Sequence, residues 1–350
     1  MATTASPKIG AAPMKVAQIS KAGGDFEIVE REIPRPAAGQ VLIQVQACGI
    51  CHSDVLTKEG MWPGIQFPRV PGHEVAGVID ELGSGVSAWR KGQRVGVGWH
   101  GGQDGTCPAC RRGDFRNCRN LQIPGISYDG GYQQYMVAPV EALAAIPDSL
   151  SAVEAAPLLC AGITTYNALR HSGAFPGDLV AVQGIGGLGH LGIQFASKFG
   201  YKVAAVGRGP ENAALAKKLG AHTYIDSRGT DAARELQKLG GAQVILATAP
   251  NSKAMSALID GLAPNGKLVV IGATFDPIEV TPVQLITGSR AIQGWAAGTP
   301  ADSEDTLRFS ELAGVRAMIE TYPIEKAGQA YARMLSGEAR FRVVLTMSGA

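Results

Sequence analysis

The chain has 350 residues, 32 of them basic and 30 acidic, for a formal net charge of +2 with histidine neutral. So even a balance gives no field to draw the protein to nucleic acid or to an anionic membrane, and the length suffices for two domains, each with its own core. The first thirteen residues lack the basic start and apolar run of a secretory signal, and no stretch reaches the ~18 uninterrupted apolar residues of a membrane helix; the six cysteines therefore read as metal ligands and free thiols of a cytoplasmic protein, not as disulfides.

From residue 14 to about 150 the sequence is dense in Gly, Pro and Val. Short apolar runs such as Val41–Val45 and Val75–Ile79 sit between turn residues, which predicts antiparallel strands. The texture changes at Leu179. From there the apolar runs Leu179–Val182, Val203–Val206, Val244–Ala247 and Leu268–Ile271 alternate with helix-patterned stretches, as a doubly wound parallel sheet requires. Leu188, Leu191, Phe195 and Phe199 recur on one face of the helix expected after Gly187. A helical segment from Ser303 to Ala313 and a last strand near Phe341 to Thr346 follow.

Three residues carry metal chemistry in their local sequence. Cys51 opens Cys51-His52-Ser53-Asp54, His73 lies in Pro71-Gly72-His73-Glu74, and Cys160 precedes Ala161-Gly162. Each alone would read as a buried thiol or a satisfied core histidine. Together, two soft thiolates and one imidazole suit Zn²⁺, and three protein ligands leave a fourth position for water or substrate.

A glycine-rich turn, Gly184-Ile185-Gly186-Gly187-Leu188-Gly189, follows the apolar run that ends at Gln183 and precedes an amphipathic helix. By itself the pattern is weak. In this context the glycines permit a tight turn and let the backbone approach a pyrophosphate, whose charge rests on the helix N-terminus, so a nicotinamide dinucleotide is expected. A site that selects NAD usually offers an acid about 20 residues further on. That position is Gly207, followed by Arg208 and then by Gly209-Pro210 at the next helix start. A cation and a helix N-terminus facing a 2′-phosphate predict NADP(H) in preference to NAD(H). The alternative is an Arg208 turned to solvent, which leaves an indifferent site that also accepts NAD(H).

Five segments in one order, Cys48-Gly-Ile-Cys-His-Ser-Asp54, Pro71-Gly-His-Glu74, Gly130-Gly-Tyr-Gln-Gln-Tyr135, Leu159-Cys-Ala-Gly-Ile-Thr164 and the glycine turn, give the chain its family likeness. From about Met14 onward it resembles the zinc-dependent medium-chain alcohol dehydrogenases of the yeast and bacterial branch. The resemblance implies an α/β protein: a GroES-like antiparallel β catalytic domain over residues 1–160, a Rossmann domain with a doubly wound parallel sheet over 161–298, and a C-terminal part, 299–350, that returns to the catalytic domain. It also implies a structural zinc lobe at Asp104, Cys107, Cys110 and Cys118, spaced by two, two and seven residues. Related enzymes usually have four cysteines there. One carboxylate with three thiolates is a chemically sound set, and the alternative is a lobe that keeps three thiols and no metal. Cys48 falls at a position without a ligand role.

Carried over residue by residue, the resemblance makes Asp54 the carboxylate that orients His73, Glu74 a transient zinc contact, Ser53 the acceptor of the substrate hydroxyl proton and His52 a contact to the cofactor phosphates. Arg342 falls where an arginine meets the pyrophosphate, though a lone arginine could equally be a surface charge. Trp62, Trp99 and Trp295 match a substrate pocket suited to primary alcohols and aldehydes. Leu56 stands where related enzymes often carry a histidine that passes the proton to solvent. The implied activity is hydride transfer between NADPH and such small molecules by a homodimer or homotetramer without nucleic-acid or membrane partners. Two rivals stand beside it: a zinc-free quinone or enone reductase of the same fold, which needs none of the metal ligands, and a cofactor-binding protein without turnover, which would have lost a catalytic group.

Overall fold

The computed structural model describes residues 13–347. Residues 1–12, nearly all of the stretch that lacks the marks of a secretory signal, lie outside that range, as do the outer ends of the first and last expected segments. Among the described residues no helix is long and apolar enough to cross a membrane.

Strands β1 (Met14–Ile19) and β2 (Phe26–Arg31) form an antiparallel pair. The N-terminal part continues with β3 (Gln40–Ile50), β4 (Val75–Leu82), β5 (Arg94–Val97), β6 (Tyr135–Pro139) and β7 (Leu143–Ala145). A second set follows: β8 (Leu179–Gln183), β9 (Lys202–Gly207), β10 (Thr223–Asp226), β11 (Ala242–Ala247), β12 (Leu262–Val270) and β13 (Ala291–Gly294). Last come β14 (Ile319–Pro323) and β15 (Arg342–Thr346).

The mostly antiparallel sheet has seven strands in the order β14-β15-β3-β4-β5-β7, with β6 also on β3. Strand β3 is its spine. Residues 40–44 pair with β6, residues 47–50 pair with β15, and β4 lies along the other edge. Because β15 joins β3, the last strand lies in the same sheet as the N-terminal strands β3 to β7, while β1 and β2 pair apart from it. Its core includes Val41, Ile43, Val45, Tyr132, Met136 and Leu345, all fully buried.

Six parallel strands in the order β10-β9-β8-β11-β12-β13 form the other sheet. Order reverses between β8 and β11, where open α/β sheets offer a crevice beyond the strand C-termini. Val180, Ala181 and Val182, and Val203, Ala204 and Ala205, have no exposure on either face, which explains the unbroken apolar runs of the sequence. Helices Ala161–Arg170 and Gly189–Lys198 pack through Tyr166, whose ring lies 5.5 Å from Phe195 and 5.3 Å from Phe199. Leu191 and Phe195 are fully buried, while Leu188 and Phe199 flank the packed face.

The α/β architecture matches expectation, and the differences are local. The helix expected from Ser303 begins at Pro300, because Thr299 caps it reciprocally with Asp302 and Pro300 is preset for the first turn. Strand β14 and the helix Ala327–Leu335 were not foreseen. The former mixes polar and apolar residues at a sheet edge, where no alternation is imposed.

Candidate active site

Strand β3 delivers Cys51 one residue past its end, and β4 begins just after His73 and Glu74. The Gly49 amide donates to the Glu74 carbonyl at 3.0 Å, which sets these two segments side by side. Cys160 enters from the third direction, at the head of the helix Ala161–Arg170. One donor atom from each of Cys51, His73, Glu74 and Cys160 lies within 4.8 Å of the others. The two sulfurs are 3.8 Å apart, far beyond the ~2.05 Å of a disulfide. The adjoining Cys160 thiol pulls Cys51 well below the usual thiol range, and the same contact pushes Cys160 well above it. Were both deprotonated, two sulfurs at that spacing would repel unless a cation lay between them, and two thiolates with an imidazole are a donor set that fits a divalent soft metal.

A buried polar frame orients the donors. His73 Nδ1 lies 3.2 Å from Asp54 Oδ1, which leaves Nε2 for the cluster. Burial works against charge on His73, but the Asp54 carboxylate outweighs it and holds the ring well above its ordinary pKa. Asp54 Oδ2 accepts from the Cys51 amide at 2.9 Å and from the Tyr132 hydroxyl at 2.7 Å. Tyr132 was missed in the sequence, although its segment was recognised. Ser53 Oγ donates to Cys51 Sγ at 3.1 Å and stands 3.4 Å from His73 Nε2. His52 is exposed on the same turn, and Leu56 is half-buried on the short helix Asp54–Lys58.

Arg342 is buried, so the surface-charge alternative falls. Its Nη2 donates to Glu74 Oε1 and, at 3.2 Å, to the Ile50 carbonyl. Burial pushes the Glu74 carboxyl up to about 7 against the opposing pull of Arg342. Among the described residues, Glu74 Oε2 and Arg342 Nε meet no hydrogen-bond partner. Arg342 Nη1 would stand 2.9 Å from a Cβ on Gly187, so the guanidinium spans from the glycine turn to the donor cluster.

The glycines divide their work. Gly184 adopts φ +93°, and a Cβ on Gly189 would stand 1.8 Å from the Gly184 carbonyl oxygen, so this helix end cannot approach its strand with any side chain there. A Cβ on Gly186 would meet nothing within 4 Å, which is the open space a pyrophosphate needs. Leu188 is the N-cap residue of the helix that follows. His190 fixes this turn from below: its Nδ1 lies 2.8 Å from the Gly186 carbonyl and its Nε2 accepts from the Met318 amide at 3.2 Å. A crevice of about 860 Å³ runs from Gln183, Gly184 and Ile185 to Gly207, Arg208 and Asn212. Arg208 is exposed at its rim.

The second donor group gathers Asp104, Cys107, Cys110 and Cys118, again within 4.8 Å. Asp104 Oδ1 accepts from the Thr106 and Cys107 amides, both at 2.9 Å, and Oδ2 from Asn120 at 2.7 Å. The Cys107 and Thr106 amides hold its carboxyl well below the ordinary range, so it is an anion ready for a cation.

The three tryptophans separate into two places. Trp99 meets His73 edge-on at 4.9 Å and Trp62 at 6.1 Å, beside the donor cluster. Trp295, just past β13, stacks on His171 at 4.8 Å with Arg116 of the cysteine lobe 3.9 Å over its ring. The Ala297 carbonyl accepts from both Trp295 Nε1, at 3.1 Å, and Asn167 Nδ2, at 3.2 Å.

Residues 37–148 match the model of the alcohol dehydrogenase GroES-like domain, and residues 187–312 that of the zinc-binding dehydrogenases. The alcohol dehydrogenase patD of Penicillium expansum is 44% identical over 333 residues, 95% of this chain and 97% of that one. An alcohol dehydrogenase of Geobacillus stearothermophilus is 37% identical over 334 residues, 95% and 99% of the two chains. A cinnamyl alcohol dehydrogenase from Sorghum bicolor has the same fold, with a TM-score of 0.87 at 30% identity over 97% of this chain and 99% of that one. Likeness of that depth along nearly the whole length decides the matter: the chain belongs to the zinc-dependent medium-chain alcohol dehydrogenases, and it is an NAD(P)-dependent alcohol dehydrogenase.

Proposed function

We propose that this enzyme exchanges hydride between NADP(H) and primary alcohols or aldehydes, at a zinc site made by Cys51, His73 and Cys160. The reading is carried by one observation, the convergence of two thiols and an imidazole from three separate segments on one point, with the Ser53 hydroxyl and Trp99 beside it. When bound, zinc supplies Lewis-acid polarisation of the substrate oxygen and the nicotinamide supplies hydride exchange. Asp54 holds the His73 ring, and Tyr132 holds Asp54. Ser53 takes the substrate proton. Leu56 cannot titrate, so onward transfer falls to the cofactor ribose and to water or His52. Trp62 and Trp99 wall the substrate; Trp295, on its stack, shapes the segment behind it. Glu74 is a transient zinc contact, and Arg342 reaches the pyrophosphate while it restrains Glu74. Asp104, Cys107, Cys110 and Cys118 hold a second, closed zinc.

The domain limits follow the same reading: a catalytic domain to residue 160, a cofactor domain over 161–298 and a C-terminal return over 299–350. Strand β13 is a sheet edge, and Phe275 and Ile286 nearby are 90% and 77% exposed. An open edge flanked by apolar side chains favours a homo-oligomer. Six unpaired cysteines accord with a reducing cytoplasm.

For the cofactor, the supporting facts are an exposed Arg208 on the crevice rim and no carboxylate at Gly207. With butanal or benzaldehyde, kcat/KM should favour NADPH over NADH by about tenfold or more, and Arg208→Gly should remove most of that preference. A wild-type preference for NADH would overturn this choice.

A further inference from the structure

Cofactor choice rests on position 207 carrying no acid, and the neighbouring strand supplies a physical reason for the glycine. A Cβ on Gly207 would stand 2.7 Å from Tyr224 Oη, 2.9 Å from Cε2 and 3.2 Å from Cζ. Ordinary carbon contacts lie at ~3.5–4.0 Å. The Tyr224 ring has little freedom to give way: it sits half-buried on β10, which runs in register with β9, and its hydroxyl donates to the Gly209 carbonyl. Two further side chains from the same strand end fasten this turn. Asp226 Oδ1 accepts from the Gly209 amide at 2.7 Å and from the Arg228 amide at 2.9 Å, and Ser227 Oγ donates to the Gly207 carbonyl at 2.9 Å. Gly209 itself has φ +86°, a conformation that side chains disfavour.

We propose that Tyr224 is a specificity-determining positioning residue, whose ring excludes any side chain at position 207 and whose hydroxyl, with Asp226, fixes the turn that presents Arg208 to a 2′-phosphorylated adenosine. The direction of preference rests on the NADP(H) reading above; the steric coupling between positions 207 and 224 does not. An acid introduced at 207 alone therefore disrupts the turn before it can reach a ribose hydroxyl. Space must be made at 224 first.

The test uses the whole enzyme with Gly207→Asp, Tyr224→Ala, the pair together, and Tyr224→Phe. Thermal stability is measured, with calorimetric binding of 2′,5′-ADP and of 5′-AMP. Gly207→Asp alone should lower the melting temperature by roughly 5 °C and weaken both ligands. Adding Tyr224→Ala should recover stability relative to that single variant, restore 5′-AMP binding and leave 2′,5′-ADP about tenfold weaker than in wild type. Tyr224→Phe, which keeps the ring and loses the hydrogen bond, should leave the fold intact and weaken 2′,5′-ADP more than 5′-AMP. A stable Gly207→Asp enzyme that changes preference with Tyr224 intact, or strictly additive effects of the two changes, would overturn the proposal. If wild type binds 5′-AMP in preference to 2′,5′-ADP, the NADP(H) reading fails, while non-additivity between 207 and 224 still decides the role of Tyr224.

Discussion

The two donor groups of this enzyme have similar chemistry and opposite construction. Cys51, His73 and Cys160 come from the end of β3, the approach to β4 and the head of a helix, and converge only because the sheet and the helix are already in place. Asp104, Cys107, Cys110 and Cys118 sit in one loop, and the hydrogen bonds of Asp104 go to Thr106, Cys107 and Asn120 beside it. A frame made by the fold can hold an open coordination position under load. A loop without such a frame depends on closing all of its positions for its own shape. The first site should therefore lose chemistry when a donor is removed, and the second should lose stability.

The sharpest test of that contrast is His73→Ala. Turnover should fall on the order of a thousandfold or more, metal content should drop by one zinc per chain, and 2′,5′-ADP should still bind. Substantial residual turnover would refute the assignment of the catalytic metal. A smaller loss is expected from Tyr132→Phe, which keeps the ring and deletes the bond to Asp54. Catalytic metal affinity or kcat should fall about 10–100-fold, with little change in melting temperature; a purely structural Tyr132 would give the reverse pattern. Cys118→Ser should have the least effect on turnover, within about twofold at low temperature, but should lower the melting temperature by several degrees and release the second zinc. Wild-type enzyme that carries no more than one zinc would remove the contrast, because the lobe would then keep its shape without metal.

Much of the donor cluster was legible because Cys51, His73 and Cys160, each readable alone as core, together make a zinc-binding set of two thiolates and one imidazole. What surrounds them was less so. Tyr132 lies in a segment that could be matched, but a tyrosine there reads equally as core until the fold sets its hydroxyl 2.7 Å from Asp54. The pairing of Arg342 with Glu74 spans 268 positions of sequence, beyond the reach of any local pattern. The helix Ala327–Leu335 could have been read, since Ala327, Ala330 and Tyr331 are buried at helical spacing. The resemblance grouped Trp295 with Trp62 and Trp99 by position, whereas Arg116 and His171, which flank its indole, arrive from two distant segments.

That last arrangement makes the cysteine lobe more than a local brace. Arg116 lies between Cys110 and Cys118, so its guanidinium keeps its place over the indole only while the lobe holds its shape. On the other side, Trp295 shares the Ala297 carbonyl with Asn167, in a segment where Ala297 has φ +33°. An alanine in that region is strained and persists because its surroundings hold it. A lobe that unravels would withdraw one wall of that support, and wear at a site that performs no chemistry would be felt in the backbone where the chain leaves the cofactor sheet.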